Sequence, residues 1–317
     1  MTISTNIAPN MHKGLEYLLS VQKSDGSWCD YDLPVGASDQ WVTAYTALGV
    51  LQAGRVLKVD AAIHAARAAA DFLLNSQVYE AGWGYNSTTG VDADSTAQTM
   101  RLMRALEIDI PARNHSCLLL HFQENGGAST YLDQTAWGSA HPDVTATAGL
   151  ALSHEQFAQQ QKSLQHYCEL SYIPGIGWPT YWWKNHLYAT WHMLMLYQRM
   201  NVDLPSDLHS IAVNIESAFD LAWALGILHA LHSDPTVIAQ PLSTLCQLQL
   251  SDGAWPGAGN LRVTDPDCFQ PWQAPAGEYY TDQRHTITTA SVLMVLSTIA
   301  SAGIDPKANS ISSKQTR

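Results

Sequence analysis

One short pattern recurs along the chain and limits what it can fold into. Its fullest copy is Val91-Asp-Ala-Asp-Ser-Thr-Ala-Gln-Thr-Met100, and weaker copies stand at Trp41-Val-Thr-Ala-Tyr45, Asp143-Val-Thr-Ala-Thr147, Leu187-Tyr-Ala-Thr-Trp191 and Ile287-Thr-Thr-Ala-Ser291. The fullest copy reads as a helix start, with carboxylates and hydroxyls where the first backbone N–H groups need acceptors. Ahead of each copy runs another helical stretch that ends near Gly, usually followed by Trp. Helices are predicted over Met11–Gln22, Ala61–Gln77, Cys117–Gln123, His154–Tyr172 and Val237–Leu250. They alternate with helices over Asp39–Ala53, the stretch from Val91, Asp143–Leu152, Asn185–Arg199, Ser217–Leu231 and His285–Ala302. A short helix over Leu208–Ile215 completes the set, giving about six hairpins with a period of about fifty residues.

A hairpin of this size cannot bury both its faces alone, so neighbours must stack and share a core. Six of them can close into a ring. The predicted fold is all-α, a single (α/α)6 barrel over residues 1–302 followed by a polar tail over 303–317. The Thr-Ala helices are the more apolar and aromatic set and belong on the inner wall, while the helices carrying Lys, Glu and Gln face water. The loop Pro256–Asp282 is too long for a connector and is expected to form a lid or a wall.

Composition narrows the partners. A formal charge of -12 repels nucleic acid and anionic membranes, so neither is expected as a partner. Met1–Asn10 lacks a basic start followed by an apolar run, and no transmembrane-length apolar stretch occurs, which predicts a soluble, cytoplasmic protein. The five cysteines are scattered without a CxxC pair, so neither a disulfide framework nor a zinc knuckle is expected. Charged residues make up only 14% of the chain, whereas Trp occurs 11 times, a balance that suits an enclosed aromatic cavity for an apolar small molecule.

Gln22…Gly26-Ser-Trp28 and Gln249…Gly253-Ala-Trp255 fit the Gln-x-x-x-Gly-x-Trp repeat of the squalene–hopene cyclase and terpene cyclase superfamily, and Gln77…Gly82-Trp83 and Gln123…Gly127 are degenerate copies. Asp92-Ala-Asp94-Ser-Thr-Ala resembles the acidic motif Asp-x-Asp-Asp-Thr-Ala of the protonating, class II members. The resemblance covers nearly the whole chain, as one barrel where the hopene cyclases have two. It implies a cyclase or isomerase in which Asp94, matching the middle Asp of the motif, donates a proton to an alkene. Ser95 stands where the family has a further Asp, and Thr147 where a His following Thr-Ala holds the acid; His141 is a nearby candidate for that His.

Alkene protonation requires a carboxylic acid that stays neutral near pH 7, with aromatic faces to stabilise the cation that follows. Burial and the neighbouring Asp92 both raise the pKa of Asp94, whereas a helix N-terminus lowers it. The alternative for Asp92, Asp94 and Asp143 is that all three simply cap inner helices. Trp41, Trp137, Tyr181, Trp182, Trp183, Tyr188, Trp191 and Trp272 cluster near predicted helix starts and are the candidate substrate-binding set.

A rival site is a zinc centre. Asp267-Cys268-Phe-Gln-Pro-Trp272-Gln and Asp282-Gln-Arg-His285-Thr resemble the zinc region of protein prenyltransferase β subunits, which would make Asp267, Cys268 and His285 the ligands, with Pro266 replacing that family's ligand Asp. A diphosphate would need cavity cations, for which Arg101, Arg104, Lys184, Arg262 and Arg284 are the candidates. No Asp-Asp-x-x-Asp magnesium motif occurs. Three readings follow: a protonating cyclase without a cofactor, a zinc-dependent enzyme, and a barrel that binds a small molecule without catalysis.

Overall fold

The computed structural model describes residues 3–77, 81–210, 215, 217–273 and 277–302, so the predicted tail 303–317 lies outside the described residues. Six helices form an inner ring: α2 (Gln40–Leu57), α4 (Ala93–Ala105), α6 (Pro142–Ala151), α8 (Leu187–Met200), α9 (Ala218–Ala230) and α11 (Thr286–Ala302). Each packs on the next in that order and α11 packs on α2, which closes the ring. Outside it lie α1 (Ile3–Ser20), α3 (Asp60–Asn75), α5 (Ala112–Leu120), α7 (His154–Ser171) and α10 (Pro235–Gln247). The all-α barrel predicted from the repeat is therefore observed. Helix α1 starts before the predicted Met11 and runs through Pro9, which has no N–H to give the turn before it.

The two helix classes bury different amounts of surface. In α3 the buried residues Ala62, Ala65, Ala66, Ala69, Ala70 and Leu73 recur at the spacing of one helical face. In α2, by contrast, every residue from Gln40 to Leu51 is buried, because this helix meets outer helices on one side and the ring interior on the other. No helix among the described residues is long and apolar enough to cross a membrane.

The Gly-Trp repeat and the Thr-Ala repeat are two halves of one device. The indole N–H groups of Trp28, Trp83, Trp178 and Trp255 each donate to a carbonyl ten residues earlier, at 2.7–2.8 Å, and so seal the end of the preceding outer helix. The backbone N–H of each of these Trp residues donates to the Thr of the following inner helix: Thr43, Thr96, Thr190 and Thr289. Thr145 accepts from Ala128 in the same way. Gln22 donates to Ala65 of α3, and Gln249 donates to Asn10 of α1, so at these two places the repeat also stitches an outer helix to the next. Gly26 and Gly253 have φ of +90° and +94°, and a Cβ there would come within 2.4 Å of a backbone carbonyl of the next outer helix.

Inner helix α9 opens on Ser217 where the other inner helices carry the registering Thr. At the predicted Leu208–Ile215 helix the structure has a 3-10 turn, Ser206–Ser210; residues 211–214 lie outside the described residues. The ring is electrically polarised. Arg55, Arg104 and Arg199 each donate to carbonyls at the C-terminal end of a neighbouring inner helix, whereas Asp92, Asp94 and Asp143 stand at the N-terminal end of the ring.

Loops cover that N-terminal end. The Pro256–Asp282 loop folds into a hairpin, β3 (Gly259–Val263) with β4 (Glu278–Thr281), while β1 (Asp30–Leu33) pairs with β2 (Gly36–Ser38). Strand β3 also joins the 182–184 segment through Arg262 N–H to the Trp182 carbonyl and Lys184 N–H to the Asn260 carbonyl. The expected lid or wall is thus a hydrogen-bonded wall.

Candidate active site

Asp92 and Asp94 lie two residues apart but face different environments. Asp92 is the N-cap of α4: its carboxylate accepts from the Ser95 N–H and hydroxyl, both at 2.7 Å. Burial pushes its pKa up to about 7 despite those bonds. Ser95, which stands where the related motif has Asp, is therefore part of the cap. Asp94 turns into the ring. Its Oδ2 accepts from the Trp41 indole N–H at 2.6 Å, and its Oδ1 is held by the Thr147 hydroxyl at 2.5 Å. Trp41 belongs to α2 and Thr147 to α6, the two ring neighbours of α4, so three consecutive inner helices converge on one carboxyl.

Burial raises the pKa of Asp94, while the bonds from Thr147 and Trp41 and the charge of Arg101 oppose it. The indole can only donate, so Oδ2 is an acceptor and Oδ1 is the natural seat of the acidic proton. Thr147 Oγ1 is also 3.1 Å from the Val144 carbonyl. Its single proton can point to that carbonyl while Oγ1 accepts from Asp94, or turn to donate to the carboxylate once the acid has lost its proton.

His141 is not the residue that holds the acid. Its Nε2 donates to the Ala136 carbonyl at 2.8 Å and its ring stacks on Tyr181 at 3.8 Å; burial pushes its pKa down to about 4. It is a neutral ring locked into the wall. The position after Thr-Ala, occupied here by Thr147, makes the contact. Asp143 organises a loop instead. Its Oδ2 accepts from the backbone N–H groups of Tyr181 and Trp182, both at 3.0 Å, which sets the segment that presents Trp183. Burial raises its pKa to about 6, and the charge of Asp94 adds to the effect.

The aromatic residues fall into two groups. Trp41 lies against Tyr45 at 5.0 Å and Trp183 at 5.8 Å, and Trp183 stacks on Tyr188 at 4.5 Å and Phe219 at 5.0 Å. Trp223 closes this group edge-on to Tyr188 and Phe219, with Trp191 behind it at 6.3 Å. The second group joins Trp137, Trp182 and Tyr181 near the loops. Trp272 is half-buried and makes no ring contact among the described residues. Phe219 and Trp223 are absent from the expected set, although their four-residue spacing on α9 places them on one face.

The Asp267, Cys268 and His285 trio is not assembled. Among the described residues no group of three or more His, Cys, Asp or Glu could hold a metal. His285 Nδ1 is taken by the Gly257 N–H, Asp267 is exposed, and the Cys268 carbonyl accepts from the Tyr181 hydroxyl. These residues do not fit a zinc site.

A closed ring of inner helices, five of them registered by a Thr to the turn before, is a fold that this chain shares with solved structures of a type II terpene cyclase. One solved structure of this kind is the apo form of type II terpene cyclase MstE from Scytonema: the TM-score is 0.82 at 23% identity, covering 95% of this chain and 99% of that one. The R337A form of MstE, in complex with the substrate geranylgeranyl dihydroxybenzoate, matches with a TM-score of 0.78 at 22% identity over 94% of this chain and 98% of that one. A protein from Actinoplanes matches at 27% identity with a TM-score of 0.77 over 93% and 99%. No family model and no curated protein sequence matches the chain.

Proposed function

We propose that this protein is a protonation-initiated cyclase acting on a prenylated substrate. The observation that carries the reading is Asp94, an inward carboxyl held by Trp41 and Thr147 and raised in pKa by its surroundings. The structures of MstE with a geranylgeranyl substrate support the substrate class. In the proposed reaction the Asp94 proton is taken up by the π electrons of a terminal alkene, leaving a carbocation on the more substituted carbon. Further alkene pairs attack in turn to close rings, a proton lost from carbon to water ends the sequence, and the Asp94 carboxylate takes a proton back from solvent. The faces of Trp41, Trp183 and Phe219 stabilise the cation, each contact supplying about 2 kcal/mol when desolvated. Asp92 and Asp143 hold backbone around the acid, and the protonation itself needs no cofactor.

The test is Asp94→Asn with geranylgeranyl dihydroxybenzoate as the probe substrate. The amide keeps the shape but cannot act as the acid, so turnover should fall at least ~100-fold with binding retained. Full turnover in this variant would remove the reading.

A further inference from the structure

Asp94 has a counterpart two turns along the same helix. From Ala93 to Met103 every residue of α4 is buried except two, Asp94 and Arg101. Seven residues apart, they lie on one helical face about 10 Å from each other along the axis. The remaining accessible surface of both therefore opens on the same side, toward the ring interior.

Arg101 is the unengaged cation of the set that could meet a negative charge. Arg104 donates to the Leu150 and Ala151 carbonyls, and Arg262 to the Thr180, Tyr181 and Pro271 carbonyls. Arg284 pairs with Asp32, and Lys184 sits over the Tyr279 ring. Arg101 commits one N–H, to Gln98 Oε1 at 3.0 Å, and makes no ion pair among the described residues. Gln98 in turn donates to the Tyr188 hydroxyl at 3.3 Å, across the ring from α4 to α8. A guanidinium has five donors in a planar fork, and holding it inside a ring with most of them uncommitted is unfavourable unless a ligand completes it. Its charge would also oppose a carbocation formed near Asp94 unless an anion neutralised it.

We propose that Arg101 anchors an anionic headgroup, a carboxylate or a phosphate, on the molecule that occupies the ring. The anion sits against the guanidinium fork while the chain runs along the face of α4 to Asp94, so Arg101 and Asp94 bracket the reacting length. The proposal rests on the cyclase reading for the chain, but not for the anion.

Binding is followed by quenching of tryptophan fluorescence, with geranylgeranoic acid, geranylgeranyl diphosphate and the neutral geranylgeraniol as probes. The wild-type protein should bind at least one anionic probe tenfold or more tightly than the alcohol, and which anion gains more separates carboxylate from phosphate. Arg101→Met should bring all three to the affinity of the alcohol, and Arg101→Lys should keep part of the preference. Equal binding of acid, diphosphate and alcohol by the wild-type protein overturns the proposal without any variant, as does a preference that survives in Arg101→Met. Benzoate and inorganic diphosphate, which carry no prenyl chain, separate the two readings. Their protection of the wild-type protein against thermal unfolding, lost in Arg101→Met, supports the anion site even if no prenyl probe binds. No protection, together with no prenyl binding, overturns it.

Discussion

Thr147→Val gives the sharpest test of how the acid is supported. Valine matches the shape of threonine and removes only the hydroxyl, at a residue with no exposed surface. In the proposed reaction the acid starts protonated, so its contact with Thr147 joins two neutral groups, worth about 1 kcal/mol. As the proton leaves, the same contact becomes a hydroxyl donating to a carboxylate, worth about 2 to 3 kcal/mol. The difference of about 1 to 2 kcal/mol is realised only as charge develops on Asp94, so it appears in kcat as a loss of about five- to thirtyfold. The KM should stay within about twofold, since the lost interaction strengthens only as the proton leaves. The pH profile adds a second signature. Thr147 is the largest hydrogen-bonding influence that lowers the Asp94 pKa, so its removal raises that pKa further above the ordinary carboxylate value. In the proposed reaction activity requires the protonated acid and falls as pH rises through its pKa, so the alkaline limb should move to higher pH. Thr147→Ser should restore most of the rate. The reasoning is refuted if Thr147→Val lowers thermal stability while kcat and the alkaline limb stay in place.

Two further outcomes follow from the architecture. Asp92→Asn keeps an oxygen acceptor for the Ser95 N–H but removes a carboxyl whose pKa rises on folding from 3.8 to about 7. Such a group contributes its full stability below about pH 4 and loses it as pH rises through about 7, at a cost of up to about 4 kcal/mol. The variant should therefore gain on the wild-type protein between pH 5 and pH 8 in thermal unfolding; a gap that does not change with pH would contradict the assigned burial. Trp255→Phe keeps the ring but leaves the Leu245 carbonyl without its indole donor at 2.7 Å. Urea denaturation should show a loss of about 1 to 3 kcal/mol with kcat unchanged.

The ring was legible in the sequence because its determinants are local. Four outer helices end on a Gly and Trp a few residues past the last turn, and five inner helices carry a Thr near their start, so the alternation can be read without knowing what packs on what. Ahead of α9 the described residues show the 3-10 turn Ser206–Ser210, and α9 opens on Ser217-Ala-Phe rather than Thr-Ala. Asp94 and Trp41 were recognisable by type and position, although nothing in their spacing, fifty-three residues apart, reveals their bond.

Which residue supports the acid was settled by packing. His141 and Thr147 belong to the same helix start, and the histidine is the more reactive side chain. The ring places Thr147, on the second turn of α6, against α4, while His141 precedes the helix and turns back to the Ala136 carbonyl. The zinc trio shows the converse. Asp267, Cys268 and His285 are the right residue types at familiar spacing, yet His285, beyond β4, is committed to the Gly257 N–H ahead of β3, and Asp267, in the connection between the two strands, lies in solvent. Residue type and local period are properties of the chain alone and determined the helices, their order and the candidate acid. The partners of that acid depend on the rotation of each helix about its own axis, which is set by contacts between distant segments, and only the closed ring decided them.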